Sequence, residues 1–140
     1  MKGKRKERFE LIGICRREKL ISLSEEVRKE LNIRVIKQNR ALIMMRARDS
    51  IEGEIFNLGE VLVSECWVEV EGVLGYFMVL GDDPERALAG AIVDAVCELG
   101  HPLSKGIMDV LKKEKTYYES ERAKEWMRIK GTRVEFEVMA

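Results

Sequence analysis

Residues 60–80 read EVLVSECWVEVEGVLGYFMVL and carry the strongest structural signal in the chain. Two runs rich in β-branched and aromatic residues, Glu60–Val70 and Val73–Leu80, are separated by Glu71-Gly72. A two-residue link that ends in glycine, placed between two such runs, is typical of a tight β-hairpin. The spacing therefore predicts that Val70 lies opposite Val73, which determines the register of the whole hairpin.

Alternation along this hairpin separates two faces. One face is small and apolar, and we interpret it as core; its members are Leu62, Ser64, Cys66, Val68, Val70, Val73, Gly75, Phe77 and Val79. The other face pairs Trp67 with Tyr76 and Glu65 with Met78, and it is also largely apolar. A sheet with two apolar faces has to be covered on both. We therefore expect the Trp67 face to be covered by a partner chain or by the long helix described next.

Helices are predicted after the hairpin. Asp83 is placed as an N-cap before Pro84, and Gly100 is expected to end this helix. Another helix is predicted over Pro102–Lys130, with a stop at Gly131. In the last segment, Thr132–Met139, apolar and charged residues alternate, which predicts a final strand.

The first third of the chain predicts two helices and two strands. The helices are expected over Glu7–Lys19 and Glu25–Leu31, with Ser22 and Glu25 spaced as a capping box. The strands are expected over Ile33–Lys37 and Ala41–Arg48. The basic start, residues 2–8, is either a solvated helix end or an arm for a polyphosphate or a partner.

These elements predict an α+β fold, mainly an antiparallel sheet with a central β-hairpin and helices packed on it. A length of 140 residues fits one domain over residues 1–140. The 25 basic and 25 acidic residues cancel, which gives no reason to expect nucleic acid or an anionic membrane as partner. Three widely spaced cysteines indicate a reducing compartment, and hence a cytoplasmic protein. No apolar run approaches the ~20 residues that a membrane span needs.

Signatures of catalysis or metal binding are weak. Cys97 and His101 have a spacing that can hold a metal on one helix turn, but two further ligands are not nearby in sequence. We interpret them as a core cysteine and a helix-end histidine, and expect no bound metal. Acid–base chemistry stays open for the carboxylates Glu60, Glu65, Asp82, Asp83 and Asp94. For Glu65 we expect an ion pair with an arginine of a neighbouring strand or subunit, and for Asp94 a surface or contact position.

The order of certain residues resembles the G-subunit family of carbon–phosphorus lyase, PhnG, over nearly the whole chain. The resemblance is densest between Glu54 and Ala95, and it is carried by Phe56, Gly59-Glu60, Leu62-Val63-Ser64, Gly75-Tyr76, Gly81-Asp82-Asp83, Ala91 and Asp94-Ala95. Arg8-Phe9, Ala47-Arg48-Asp49 and the ending Thr132-Arg133-Val134-Glu135-Phe136 fit as well. Trp67 is not part of the family pattern, and the turn at Glu71-Gly72 is tighter than in the family.

The resemblance implies a subunit that acts with the H, I, J and L proteins. Together they join a phosphonate to MgATP with loss of adenine, which gives a ribose 1-phosphonate 5-triphosphate. The resemblance places the nucleosidase chemistry in the I subunit and the radical chemistry, with its iron–sulfur cluster, in the J subunit. This chain is then expected to be a scaffold or part of the substrate surface, with no catalytic residue and no cofactor of its own. The candidate substrate-contact or subunit-contact residues are Arg48, Gly59, Glu60, Glu65, Trp67, Gly75, Tyr76, Asp83, Asp94 and Arg133. The competing hypothesis is a free-standing homo-oligomeric binding module.

Overall fold

The computed structural model describes the backbone of residues 2–139 and the side chains of residues 3–130. Its elements, in chain order, are α1 (Lys2–Ile14), α2 (Arg17–Glu30), β1 (Ile33–Arg48), β2 (Ile55–Val70), β3 (Val73–Leu80), α3 (Pro84–Leu99) and α4 (Leu103–Met139). The strands form one antiparallel sheet in the order β1-β2-β3, and helices pack on it. The predicted α+β class is confirmed.

The hairpin β2–β3 has the predicted register. Val70 lies opposite Val73 and Trp67 lies opposite Tyr76. Glu71 and Gly72 both have positive φ angles, 49° and 83°. Such angles at both central residues match the right-handed twist of the flanking strands, which is why this turn type dominates short hairpins.

The two strands predicted in residues 33–48 are one strand, β1, paired with β2 along its length. The polar residues Gln38-Asn39-Arg40 interrupt the apolar pattern but not the pairing, because ladder hydrogen bonds to β2 do not depend on side-chain polarity. A register shift between Val35 and Lys37 absorbs one extra residue on β1. The strand β2 begins at Ile55 rather than at Glu60.

The predicted division of the first two helices is wrong. Helix α1 ends at Ile14 and α2 begins at Arg17, so the junction lies inside the predicted helix Glu7–Lys19. Arg16 is extended, with φ −61° and ψ 141°, and both its backbone N–H and its guanidinium donate to Glu114 on α4. This long-range contact sets the break. Ser22 consequently lies inside α2 and forms no capping box.

Helix α3 is the centre of the core. Asp83 accepts a hydrogen bond from the backbone N–H of Arg86, and Gly100 is left-handed with φ 71°, so both predicted ends are confirmed. The helix approaches β3 closely at Gly75, where a Cβ atom would lie 2.2 Å from the carbonyl oxygen of Ala91. It is buried on nearly all sides. Its own Ile92 and Val96 belong to the core, together with Leu20, Val27, Cys66, Val68 and Leu111 of the surrounding elements.

Helix α4 continues through the range 132–139, so the strand and the stop at Gly131 predicted there are wrong for the backbone. An alternating pattern specifies a strand only where a sheet neighbour is available to pair with it, and here the preceding helix continues instead. The side chains of residues 131–140, including that of Arg133, lie outside the described residues. Helix α4 packs against α1 and α3.

Candidate functional site

The sheet face that points away from α3 carries an aromatic pair. We call it the outer face and define it by Glu65, Trp67, Leu74, Tyr76 and Met78. The rings of Trp67 and Tyr76 lie 4.4 Å apart between centroids at an angle of 42°. Trp67, Leu74 and Met78 are 36%, 49% and 39% exposed. The expected cover by the long helix is therefore wrong, and cover by a partner chain stays a prediction.

Glu65 orients the aromatic pair through a hydrogen bond with Tyr76. It accepts a hydrogen bond of 2.9 Å from the Tyr76 hydroxyl and one of 3.3 Å from the Asn39 amide. The partners in the chain itself are thus Tyr76 and Asn39, rather than the predicted arginine of a neighbouring strand. Burial, together with the adjacent Glu65 carboxylate, raises the pKa of Tyr76 to about 12. The phenol therefore stays protonated at neutral pH and serves as a hydrogen-bond donor.

A groove beside the outer face separates α1 from β3. Its volume is about 400 Å³, and it is lined mainly by Lys6, Phe9, Gly13, Tyr76, Phe77 and Met78. The groove is open to solvent and mostly apolar, so it extends the apolar surface of the outer face around the edge of β3.

Asp94 lies inside the protein, not at the surface position expected for it. Its side chain is 0% exposed. Oδ1 accepts from Nε and Nη2 of Arg8 at 3.0 and 2.7 Å, and Oδ2 accepts from Nη2 of Arg5 at 2.8 Å and from the Tyr76 N–H at 3.0 Å. Glu98 also binds Arg8, and this hydrogen bond lowers the pKa of Glu98. The arginines of α1 are therefore internal ligands of α3 carboxylates, and the cluster joins α1, α3 and the edge of β3.

The other candidate residues occupy two kinds of position. Asp83 caps α3 and accepts a 2.9 Å hydrogen bond from Arg17, which lowers the pKa of Asp83. Arg48, Gly59 and Glu60 are exposed on the part of the sheet that extends past β3. The structure thus separates the predicted set into outer-face residues, packing or capping residues, and exposed residues far from both.

The exposed part of the sheet is a feature that the sequence prediction missed. Strand β3 pairs only with residues 63–70 of β2, so residues 42–48 and 55–62 extend beyond it as a two-stranded segment, here called the distal ribbon. Ile51, at its tip, is 91% exposed. Further exposed apolar residues lie along the ribbon: Leu42, Met44, Ile55, Phe56, Leu58 and Leu62. The apolar residues Ile55, Phe56 and Leu58 are the signal that should have extended the predicted strand.

Groups suited to catalysis do not converge in the described part of the chain. Within it, no three side chains of histidine, cysteine, aspartate or glutamate are placed to hold a metal ion. Burial raises the pKa of the Cys97 thiol to about 11, which disfavours the thiolate that a metal or an electrophile would need. His101 accepts from the backbone N–H of Leu103 at the start of α4, as expected for a helix-end residue. Among the described helices, none is long and apolar enough to cross a membrane.

Comparison with known proteins places the chain in one family. A family model described as phosphonate metabolism protein PhnG matches residues 3–140. No curated protein matches the chain. The match includes the outer face, the Asp94 cluster and the distal ribbon.

Proposed function

This chain belongs to the PhnG family of phosphonate metabolism proteins, which are components of the carbon–phosphorus lyase complex, and from that premise we propose a specific role for it. It acts with the H, I, J and L proteins when a phosphonate replaces adenine on MgATP to give a ribose 1-phosphonate 5-triphosphate. The chain is a cytoplasmic scaffold, folded as one domain, without a cofactor or catalytic activity of its own. MgATP is a substrate of the complex.

The main observation that supports this proposal is the exposed outer face. Large aromatic side chains in a patch that becomes desolvated dominate the binding energy of protein interfaces. Trp67 is held in place before binding, because its ring packs at an angle against Tyr76 and Tyr76 is hydrogen-bonded to Glu65. A side chain that is already ordered loses little conformational entropy when a partner covers it. The outer face therefore suits a lasting subunit contact.

A scaffold role also follows from how the polar groups near this face are used. The Glu65 carboxylate accepts from two neighbours, and the Tyr76 phenol stays protonated at neutral pH. Asp94 is enclosed by Arg5, Arg8 and the Tyr76 backbone. Groups committed to such contacts are poorly placed to exchange protons with a substrate. We assign contact roles to the exposed candidates Arg48, Gly59 and Glu60, and packing or capping roles to Gly75 and Asp83.

The proposal is tested by assembly with the I subunit of the same phosphonate system. Trp67→Ala should weaken binding by about 30-fold, on the order of 2 kcal/mol. Trp126→Ala is a matched control, because Trp126 is 61% exposed on α4, away from the outer face. Binding is measured by titration calorimetry, and adenine release from MgATP and a phosphonate is followed with and without this chain.

Two results would contradict the proposal. If Trp67→Ala bound the I subunit as tightly as the unmodified chain, the outer face would not be the contact. If the chain formed a stable homodimer that ignored the I subunit, and adenine release did not depend on it, the free-standing binding module would be the better description.

A further inference from the structure

No strand in the part of the chain that the structure describes pairs with the outer side of β1, so the sheet has an open edge there. The hydrogen-bond pattern shows which residues face it. The Tyr76 N–H donates to Asp94, so it points away from β2, and Tyr76 and Trp67 form a non-hydrogen-bonded pair. Trp67 therefore directs its backbone groups towards β1, where it lies opposite Lys37. Since this orientation alternates, odd-numbered residues from Lys37 onward bond to β2, and even-numbered residues direct their N–H and C=O groups to the open edge. The bond from Asp49 N–H to the Glu54 carbonyl, past the far end of β1, has the same parity.

The side chains at this edge are cationic around an apolar centre. The even-numbered residues from 38 to 48 are all exposed. Leu42 and Met44 are 64% and 47% exposed, with Arg40 before them and Arg46 and Arg48 after them. Strand β1 contains no anion, and the cations within residues 38–48 are Arg40, Arg46 and Arg48. Arg40 pairs with Asp82 at 3.2 Å, which leaves Arg46 and Arg48 as the cations at this edge for which no ion pair is seen within the described part of the chain.

We propose that this open edge, residues 38–48, accepts an acidic extended segment of a partner subunit as a fourth strand of the sheet. The inference rests on the proposed function, since it requires the chain to be a subunit. Main-chain hydrogen bonds supply affinity in such strand addition, and alternate side chains supply specificity. The segment places apolar residues opposite Leu42 and Met44, and carboxylates opposite Arg46 and Arg48, because Arg40 already pairs with Asp82 at 3.2 Å.

Charge selects this occupant over a second copy of the chain. Pairing of two copies along residues 38–48 would bring two sets of three arginines together, of which only Arg40 has a carboxylate partner in the described part of its own chain, and like charges on adjacent strands are destabilising. Cations also protect exposed edges from aggregation, and many proteins keep such edges very short as well, whereas a long exposed apolar edge readily pairs with another chain. Here the strand has 16 residues and keeps Leu42 and Met44 exposed between its arginines.

The experiment compares the isolated chain with the complex formed with its H, I and J subunits. Amide hydrogen exchange of Arg40, Leu42 and Met44, whose N–H groups face the open edge, should slow at least tenfold in the complex. Leu42→Pro removes an N–H that points to the open edge and leaves the bonds to β2 in place, so it should bind at least tenfold more weakly than Leu42→Ala. Arg46→Glu combined with Arg48→Glu should also weaken binding and reduce its dependence on salt. Thermal melting checks that each variant folds.

The outcomes separate this inference from the function on which it rests. If the complex forms, these amides stay unprotected and Leu42→Pro binds like Leu42→Ala, the strand-addition proposal is overturned while the subunit role stands. If no complex forms, both are overturned. Slow exchange that appears in the isolated chain at high concentration would assign the edge to a second copy and also overturn the proposal. If Leu42→Pro does not fold, the proposal is judged from the unmodified chain alone: it stands if the edge amides exchange more slowly in the complex, and it is overturned if they do not.

Discussion

Replacing Asp94 with alanine should strongly destabilise the isolated chain. The buried carboxylate accepts four hydrogen bonds, two of them from Arg8, which is itself only 7% exposed. Removing one partner of a buried ion pair typically costs about 3–5 kcal/mol, because the other charge stays buried without compensation. Glu98 still binds Arg8, which reduces the loss, whereas the Tyr76 N–H loses its acceptor, which adds about 1–3 kcal/mol. We expect a total cost of about 3–5 kcal/mol.

Urea unfolding followed by circular dichroism measures this cost. The midpoint should fall while the slope m stays the same, since the surface exposed on unfolding hardly changes. For a chain of 140 residues, the loss corresponds to a melting temperature lower by about 10–20 °C. Asp109→Ala is the matched control, because it removes the same group from an exposed helical position and should change stability by less than about 0.5 kcal/mol.

The reasoning would be refuted if Asp94→Ala lost less than about 1 kcal/mol, or no more than Asp109→Ala. Either result would mean that the cluster does not hold α1 against α3 and β3. Asp94→Asn should fall between the two variants, since the amide keeps the volume and one acceptor but removes the charge that Arg8 needs.

Three further outcomes are expected. The hydrogen bond from Arg8 lowers the pKa of Glu98. The ionised carboxylate therefore stabilises the fold at pH values above its ordinary pKa of 4.5, and this stabilisation is lost as the pH falls from 4.5 through the lowered pKa. In acid unfolding, Glu98→Gln should consequently make the loss of stability with falling pH less steep. Gly75→Ala should cost at least about 1–3 kcal/mol in thermal unfolding, because the new Cβ would lie 2.6 Å from that of Ala95; a neutral result would show that β3 and α3 can separate. Trp67→Ala should change the melting temperature of the isolated chain by only a few degrees, since its side chain is partly exposed; a loss near that of Asp94→Ala would show that Trp67 belongs to the core.

The sequence correctly predicted those features that depend only on residues close together in the chain. The turn at Glu71-Gly72 determined the pairing of Trp67 with Tyr76, because a two-residue link permits only one register. The two ends of α3, at Asp83 and Gly100, could also be predicted from the sequence, because each cap bonds to backbone groups within four residues of itself.

Long-range contacts decided what the sequence pattern could not show. Helix α1 separates from α2 at Arg16 because Glu114, which is 98 residues away, binds its backbone and its side chain. Asp94 lies off the apolar stripe of its helix, so helical periodicity places it at the surface. It is buried because α1 covers that side of α3 and supplies Arg5 and Arg8.

The sequence by itself determined the α+β class, the hairpin register and the two faces of the hairpin, because strand alternation and turn geometry depend on neighbours along the chain. Only the tertiary structure decided that the Trp67 face stays exposed, that β1 and β2 continue past β3, and that the edge of β1 is open. Each of these depends on where α4 and β3 end and on what they pack against. Such contacts are set by distant residues, and no local periodicity encodes them.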